Sequence, residues 1–461
     1  MRVLLDVKPT PEQLTVITDP RPGAVVVRGA AGSGKTTTAL LRLRQTTAYW
    51  RRLASDGRID GPVRVLALTF NRTLRGYIEE LAAGRLDSTV DLELNTFGSW
   101  ARKRAGAGGT IVEATSALTK FAHALPLPQQ FVKDEATYVT GRFLPSDRSQ
   151  YLTVRREGRG ITPRMDRSQR EALFASVIEP YEADKRARGL RDWDDIATAV
   201  ALGPAVPTYH VLLVDEAQDF SANQIRAISQ YLHDDHSATY VIDAAQRIYP
   251  REFTWREAGI GVRRSYRLAR NYRNTRQIAA FARPLLEGIE IADDGTLPDL
   301  DSCRRAGPLP RVVEGRFTKQ VDDLIATIRS LPAEESIAVL HALGGGWFSD
   351  VEARLKHARI PYVDLSRLRE WPKGPEQVGL STMHSAKGLE FDHVYVIGLN
   401  EEVAPVGDTP ADNTTAVENY RRLLAMAICR ARHSVTIAYK PEEASTLVQF
   451  LQPATYERVR V

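Results

Sequence analysis

Apolar residues along this chain fall into two rhythms. Short runs rich in β-branched residues, at Ala24–Arg28, Arg64–Thr69, Val211–Val214 and Thr239–Ile242, lack regular polar alternation. That pattern predicts strands buried on both faces of a parallel sheet. Thr36–Arg44 reads as a helix, and a second helix follows the next strand through Leu81. Strand, helix, strand, helix is the order of an α/β fold, a parallel sheet covered by helices. From 101 to 190 the rhythm changes. Helical spacing dominates there, with basic and aromatic residues interleaved around Tyr151, and the stretch reads as an insertion into the first unit. An Asp-, Gly-, Pro- and Arg-rich seam spans 295–310. Beyond it, strands are predicted at Ser336–Leu340, Gly379–Thr382 and Val394–Ile397, with a helix at Val351–His357. The expected organisation is a first α/β domain over 1–100 and 191–261, a helical insertion over 101–190, and a second α/β domain over 262–461.

Candidate chemistry sits where the first strand meets the first helix. The run Gly29-Ala-Ala31-Gly32-Ser33-Gly34-Lys35-Thr36 matches G-x-x-x-x-G-K-[ST] in full, after a predicted strand and before a predicted helix. Glycines let backbone N–H groups converge on phosphate oxygens, and the helix N-terminus adds partial positive charge. Lys35 is expected to reach the outer phosphates of ATP, and the Thr36 hydroxyl to hold Mg2+. A second signal ends the strand Val211–Val214, where Asp215 and Glu216 follow directly. Parallel sheets bind ligands beyond the carboxyl ends of their strands. Asp215 is therefore placed to hold Mg2+, and Glu216 to orient and deprotonate an attacking water.

Further segments, in order along nearly the whole chain, resemble the UvrD/Rep/PcrA-like group of superfamily 1 helicases. They are Thr10-Pro-Glu-Gln13, Leu68-Thr-Phe-Asn-Arg72, Asn95-Thr-Phe97, Asp243-Ala-Ala-Gln246-Arg-Ile-Tyr249, Asn271-Tyr272-Arg273-Asn274-Thr275, Thr382-Met-His384-Ser-Ala-Lys387-Gly-Leu-Glu390-Phe391, and Arg421-Arg-Leu with Cys429-Arg430-Ala-Arg432. The resemblance implies two RecA-like domains with ATP between them and a helical insertion in the first. It also implies 3′→5′ movement on single-stranded DNA and unwinding of duplex DNA with a 3′ overhang. Gln13 is similar to the residue that reads the adenine edge, and Tyr272 to the aromatic that stacks on it. Thr37 stands where relatives often carry a stacking arginine; Arg42 lies further along the helix. Gln246 would sense the γ-phosphate, Arg273 and Arg430 would act as arginine fingers, and Glu390 would contact the ribose or phosphate end. Thr69, Phe70, Asn71, Arg72, Thr96, Phe97, Thr382 and His384 are the implied DNA contacts. Tyr249 and Trp255 are the aromatics near the sensor segment, with Trp255 open to either base stacking or the core. Gly98 replaces a histidine common in relatives. Asp192-Trp193-Asp194-Asp195 resembles a recurring segment and reads as structural support.

Large relatives carry a long insertion in the second domain. Here the interval from Thr275 to Leu380 leaves little room beyond that domain's own sheet. A compact chain of this kind suggests an alternative: a regulatory ATPase subunit of a DNA-repair or phage-defence complex, dependent on a partner such as a nuclease. Composition adds little. Over 461 residues the net charge is +5, which suits a phosphate partner without demanding one. Cys303 and Cys429 build neither a disulfide framework nor a zinc site by themselves. With no apolar run long enough to span a membrane and Asp6 too early for a secretory signal, a cytoplasmic setting is expected.

Overall fold

The structure is a computed structural model describing residues 9–29, 32–69, 89–106, 108–156, 164–242, 253–268, 270–271, 273–289, 300, 303, 305–365, 374, 376–403 and 410–461. Its strands form two large parallel sheets. The first holds β1 (Gly23–Gly29), β2 (Val63–Thr69), β3 (Val90–Thr96), β4 (Tyr209–Val214), β5 (Leu232–Ile242) and β6 (Val262–Leu268), in the order β3-β2-β4-β5-β1-β6. The second holds β7 (Arg311–Glu314), β8 (Ile337–His341), β9 (Tyr362–Asp364), β10 (Val378–Thr382), β11 (Phe391–Val396), β12 (Ala431–Tyr439) and β13 (Glu457–Arg460), in the order β9-β10-β8-β11-β12-β7-β13. The fold class is therefore α/β with two parallel-sheet units.

Side-chain alternation explains the unbroken apolar runs. On β2, Leu66 and Leu68 face one core, while Val63, Val65 and Ala67 face another. On β4, Leu212 and Val214 join the first of these cores, and Val211 and Leu213 the second. A strand covered by helices on both sides has no solvated face, so neither parity is polar. The predicted boundary at 262 needs correction. Val262–Leu268 pairs in parallel with β1, from Ala24 against Val262 to Gly29 against Leu268, so the first sheet runs to residue 268. Its sequence, Val-Arg-Arg-Ser-Tyr-Arg-Leu, is that of an edge strand with one solvated face, which hides it among the polar stretches.

Seven helices matter below: α1 (Pro11–Ile17), α2 (Lys35–Ser55), α3 (Phe97–Arg104), α4 (Trp193–Ala201), α5 (Arg276–Ala282), α6 (Phe317–Ser330) and α7 (Pro410–Ile428). Between α3 and α4 lies a helical region with its own core, built on Leu118, Val132, Val139, Tyr151, Leu173, Val177 and Tyr181. A fully buried Glu135 lies inside it. Arg156 Nε donates to its Oε1 at 2.6 Å and Tyr151 donates to the same oxygen at 2.5 Å, so the charge is paired rather than stranded. The helix expected through Leu81 lies outside the described residues. Among the described residues, no helix is long and apolar enough to cross a membrane.

Candidate active site

β1 ends at Gly29 and α2 opens at Lys35. Gly34 caps α2 with φ 75°, and Gly32 has φ 80°, both in the left-handed region that strains any side chain. A Cβ on Gly34 would also lie 2.5 Å from Gln13 Nε2. Gln13 itself is buried. Its Oε1 accepts from Thr10 N at 2.9 Å, a capping box, and its Nε2 donates to the Ser33 carbonyl at 3.0 Å. One glutamine thus fastens α1 to the phosphate loop. Ser33 is fully buried, and its hydroxyl has no partner among the described residues. A loop with a bare buried hydroxyl, glycines that exclude Cβ atoms and an uncapped helix N-terminus is a cradle for anionic oxygens. Thr37, one residue past the Lys35-Thr36 pair, is half-buried on the first turn of α2.

The carboxyl ends of β1, β4 and β5 converge, because β5 lies between the other two. Asp215 and Glu216 leave the end of β4. Both are buried, and Glu216 adopts φ 54°, ψ 41°, a left-handed conformation that non-glycine residues hold only under constraint. Asp215 Oδ1 accepts from Glu216 N at 3.0 Å, while Oδ2 is buried without a hydrogen-bond partner among the described residues. Burial, then the adjacent Glu216 charge, pushes the Asp215 carboxyl above the usual range; the Thr36 hydroxyl and the Lys35 charge oppose this. An orphaned carboxylate oxygen beside a threonine hydroxyl fits a hard divalent cation such as Mg2+. Glu216 behaves oppositely. Burial would raise it too, but the charges of Lys387, Arg430 and Lys35, together with a 2.5 Å hydrogen bond from Gln218, hold it below the usual carboxylate range.

Two of those three cations come from the second sheet's side of the cleft. Arg273 N donates to the Gly32 carbonyl at 3.1 Å, so the segment after β6 closes directly on the phosphate loop. Asn271 Nδ2 donates to Asn274 Oδ1 at 3.0 Å, and Asn274 Nδ2 donates to the carbonyls of Cys429 and Ala431 at 3.1 and 2.6 Å. Those carbonyls flank Arg430, which is buried, with Nε 3.2 Å from Met426 Sδ. A continuous hydrogen-bonded chain therefore joins the loop to both arginine segments. The Arg273 guanidinium is ion-paired with Glu390. Glu390 therefore meets a side chain here through Oε1.

Three residues in this cleft have no role assigned from sequence. Asn271 and Asn274 bridge the lobes as above, and Gly32 leaves no room for a Cβ beside their amide oxygens. Lys387 reaches across to the acidic loop, its Nζ 2.5 Å from Asp219 Oδ2 and 3.7 Å from Glu216 Oε2. All three lie inside segments already marked by the family resemblance, which is the available signal; their partners are distant in sequence. Arg42, in contrast, is excluded from a nucleotide role. It is fully buried on α2, donating to the carbonyls of Val16 at 2.8 Å and of Asp19, and to Thr239 Oγ1 at 3.2 Å. Arg42→Met should lower stability by about 3 kcal/mol in chemical denaturation, because buried carbonyls lose their donor. It should leave the KM for ATP unchanged; a raised KM would mean that Arg42 does reach the nucleotide.

The expected strand contacts divide. Phe97 needs correction: it is buried in the first domain's core, edge-on to Phe220 at 5.9 Å, with no face free for a base. Thr69 is fully buried at the end of β2, its hydroxyl without a partner among the described residues. The Thr96 hydroxyl caps α3 by accepting from Ser99 N at 3.3 Å. Thr382 accepts from Ser385 N at 3.0 Å, and His384 is exposed beside it. Trp255 packs on Tyr240 at 4.7 Å and on Phe253, at the rim of the core and partly exposed. Gly98 has a local reason: a Cβ there would lie 2.9 Å from the Trp193 ring, so the indole takes the space of a side chain. Ala31, Phe70, Asn71, Arg72, Gln246, Tyr249 and Tyr272 lie outside the described residues.

Comparison with known proteins agrees with this geometry. The UvrD/REP helicase N-terminal domain family matches residues 10–265, and the UvrD-like helicase C-terminal domain family matches 355–442. The chain is 25% identical to the ATP-dependent DNA helicase UvrD2 of Mycobacterium tuberculosis, covering 93% of this chain and 78% of that protein. It is 24% identical to DNA helicase IV of Escherichia coli, covering 93% and 68%. A probable DNA helicase of Mycoplasma pneumoniae is 24% identical over 89% of this chain and 79% of its own length. With the phosphate loop, the acidic pair and the opposing arginines gathered at one cleft, and the N-terminal family match spanning more than half its length, the chain belongs to the UvrD/Rep helicase family.

Proposed function

We propose that the chain is an ATP-dependent DNA helicase that moves 3′→5′ along single-stranded DNA and unwinds duplex DNA. The observation that carries this reading is the shared cleft. Gly32 of the phosphate loop is hydrogen-bonded to Arg273, and Glu216 lies within the electrostatic reach of both Lys35 and Arg430. Residues 1–100 with 191–268 would be the first motor domain, 101–190 its helical insertion, and the remainder the second motor domain without the large insertion of bigger relatives.

In this reading Gln13 reads the adenine edge and Tyr272 stacks on it, while Gly29 through Thr37 wrap the phosphates. Mg2+, held by Thr36 and Asp215, would neutralise phosphate charge. Glu216 takes the proton of the attacking water, and Gln246 senses the γ-phosphate. Charge spreading over the transferring phosphoryl group meets Lys35 on one side and Arg273 and Arg430 on the other. Glu390 contacts the ribose or phosphate end. Thr96, Thr382 and His384 would touch the strand, with Asn71, Arg72, Phe70, Tyr249 and Trp255 completing its path. Closing and opening of the cleft then moves the two strand-binding surfaces relative to each other.

The test is ATP hydrolysis with and without single-stranded DNA or RNA, and unwinding of duplexes carrying 3′ or 5′ overhangs. Stimulation by single-stranded DNA and unwinding from the 3′ overhang alone are expected. Absence of stimulation rejects the motor reading, and unwinding from the 5′ overhang rejects the polarity. The alternative, an ATPase subunit that unwinds only with a partner such as a nuclease, draws on the short interval between α5 and β10. Most of the described residues there belong to strands of the second sheet and their covering helices. Stimulated hydrolysis with no unwinding by the isolated chain would favour it.

A further inference from the structure

We propose that Glu335, His393 and His433 form a binding site for a divalent transition metal, Zn2+ or a chemically similar ion, on the second sheet. The three ligands come from two neighbouring strands and the chain leading into a third. Glu335 lies two residues before the start of β8, His393 lies on β11, and His433 on β12; β8, β11 and β12 are adjacent in that order. Their ligand atoms all lie within 4.8 Å of one another. His393 Nε2 is 2.7 Å from Glu335 Oε2, and His433 Nδ1 is 3.3 Å from Glu335 Oε1. Two imidazoles and one carboxylate make a nitrogen-rich, three-ligand set. Such a set suits borderline ions, leaves a fourth position for water, and disfavours Mg2+, which prefers oxygen ligands.

Local structure supports the assignment in two independent ways. The ladder between β11 and β12 carries a register shift here: Phe391 faces Ala431, but His393 faces Ser434. β12 therefore contains one extra residue across this interval, a bulge that re-aims its side chains, and His433 sits in it. The second support is the outer partner of His393. Its Nδ1 lies 2.7 Å from Ser434 Oγ. A metal on Nε2 requires Nδ1 to carry the proton, and a serine hydroxyl that can accept it fixes that tautomer. The surrounding charges are mixed. Asp392 lies 3.6 Å from Arg432, and His433 feels the opposing charges of Asp392 and Arg305.

This site is separate from the Thr36 and Asp215 pair. It lies three residues beyond Glu390 and Arg430 on the strands that begin beside them, about 10 Å along a strand at ~3.3 Å per residue. Those strands are tied at their start, where Phe391 N donates to the Arg430 carbonyl at 3.0 Å. An ion held by β11, β12 and the chain leading into β8 would staple the platform that presents Arg430 to the cleft. The spacing 335, 393, 433 has no sequence signature, which is why it escapes motif reading.

Zn2+ titration of the full chain by calorimetry, after chelator treatment and without nucleotide, tests the site. One equivalent should bind, and Co2+ should give a visible absorption band. Glu335→Gln is nearly isosteric but replaces one carboxylate oxygen with an amide donor and removes the charge, and should weaken binding by about tenfold or more, as should His433→Ala. Ser434→Ala should weaken it by about tenfold through the outer partner alone. With nine histidines in the chain, adventitious binding is the competing outcome. Wild-type-like binding in Glu335→Gln and Ser434→Ala, or no stoichiometric binding at all, overturns the proposal. Circular dichroism of each ion-free variant separates lost binding from lost folding.

Discussion

Arg430→Ala is expected to lower the turnover number for ATP hydrolysis by about 10³-fold or more, with a much smaller change in nucleotide affinity. A positioned guanidinium stabilises charge that develops only as the phosphoryl group transfers, so its loss falls on the transition state. Arg430 is built for fixed placement: it is buried, and the carbonyls on either side of it are held by Asn274. Lysine should not restore activity, because a flexible ammonium lacks the planar fork. A second readout comes from electrostatics. Arg430 is one of the cations that hold Glu216 low despite burial. Removing it should raise that carboxyl, so the acid limb of the residual activity should move to higher pH. Steady-state hydrolysis at saturating single-stranded DNA, beside binding of a fluorescent nucleotide, measures both effects. An unchanged turnover number rejects the finger role.

What can be read in the sequence divides by the range of the interaction. The phosphate loop is a local device: its glycines, lysine and threonine are contiguous, and their backbone geometry follows from their own φ requirements. Strands buried on both faces are legible because each advertises itself as a short apolar run. The edge strand Val262–Leu268 is not, because one face is solvated and arginines occupy it. Phe97 illustrates the reverse failure. An aromatic in a strand-contact segment suggests stacking, yet only the packing of α3 against Phe220 reveals that its ring is used up in the core. Lys387 and Asp219 lie on opposite lobes, and nothing in either neighbourhood announces a 2.5 Å contact between them. The same holds for Glu335, His393 and His433, which only a parallel sheet brings together.

Glu216→Gln should keep ATP binding and lose about 10²–10⁴-fold in turnover, the range for removing a general base. The substitution is nearly isosteric, so the left-handed backbone at this position and the contact with Gln218 can persist. The cleft should still close, because Lys387 keeps its nearer partner Asp219. What disappears is a carboxylate that three cations hold below the usual range despite burial, whereas burial pushes the neighbouring Asp215 above it. Single-turnover hydrolysis separates this from a binding defect. If the Glu216→Gln variant turned over ATP within a few fold of the native chain, proton abstraction at this position would not limit the reaction. The constrained backbone of Glu216 would then need another explanation, such as holding Lys387 and Asp219 in register across the cleft.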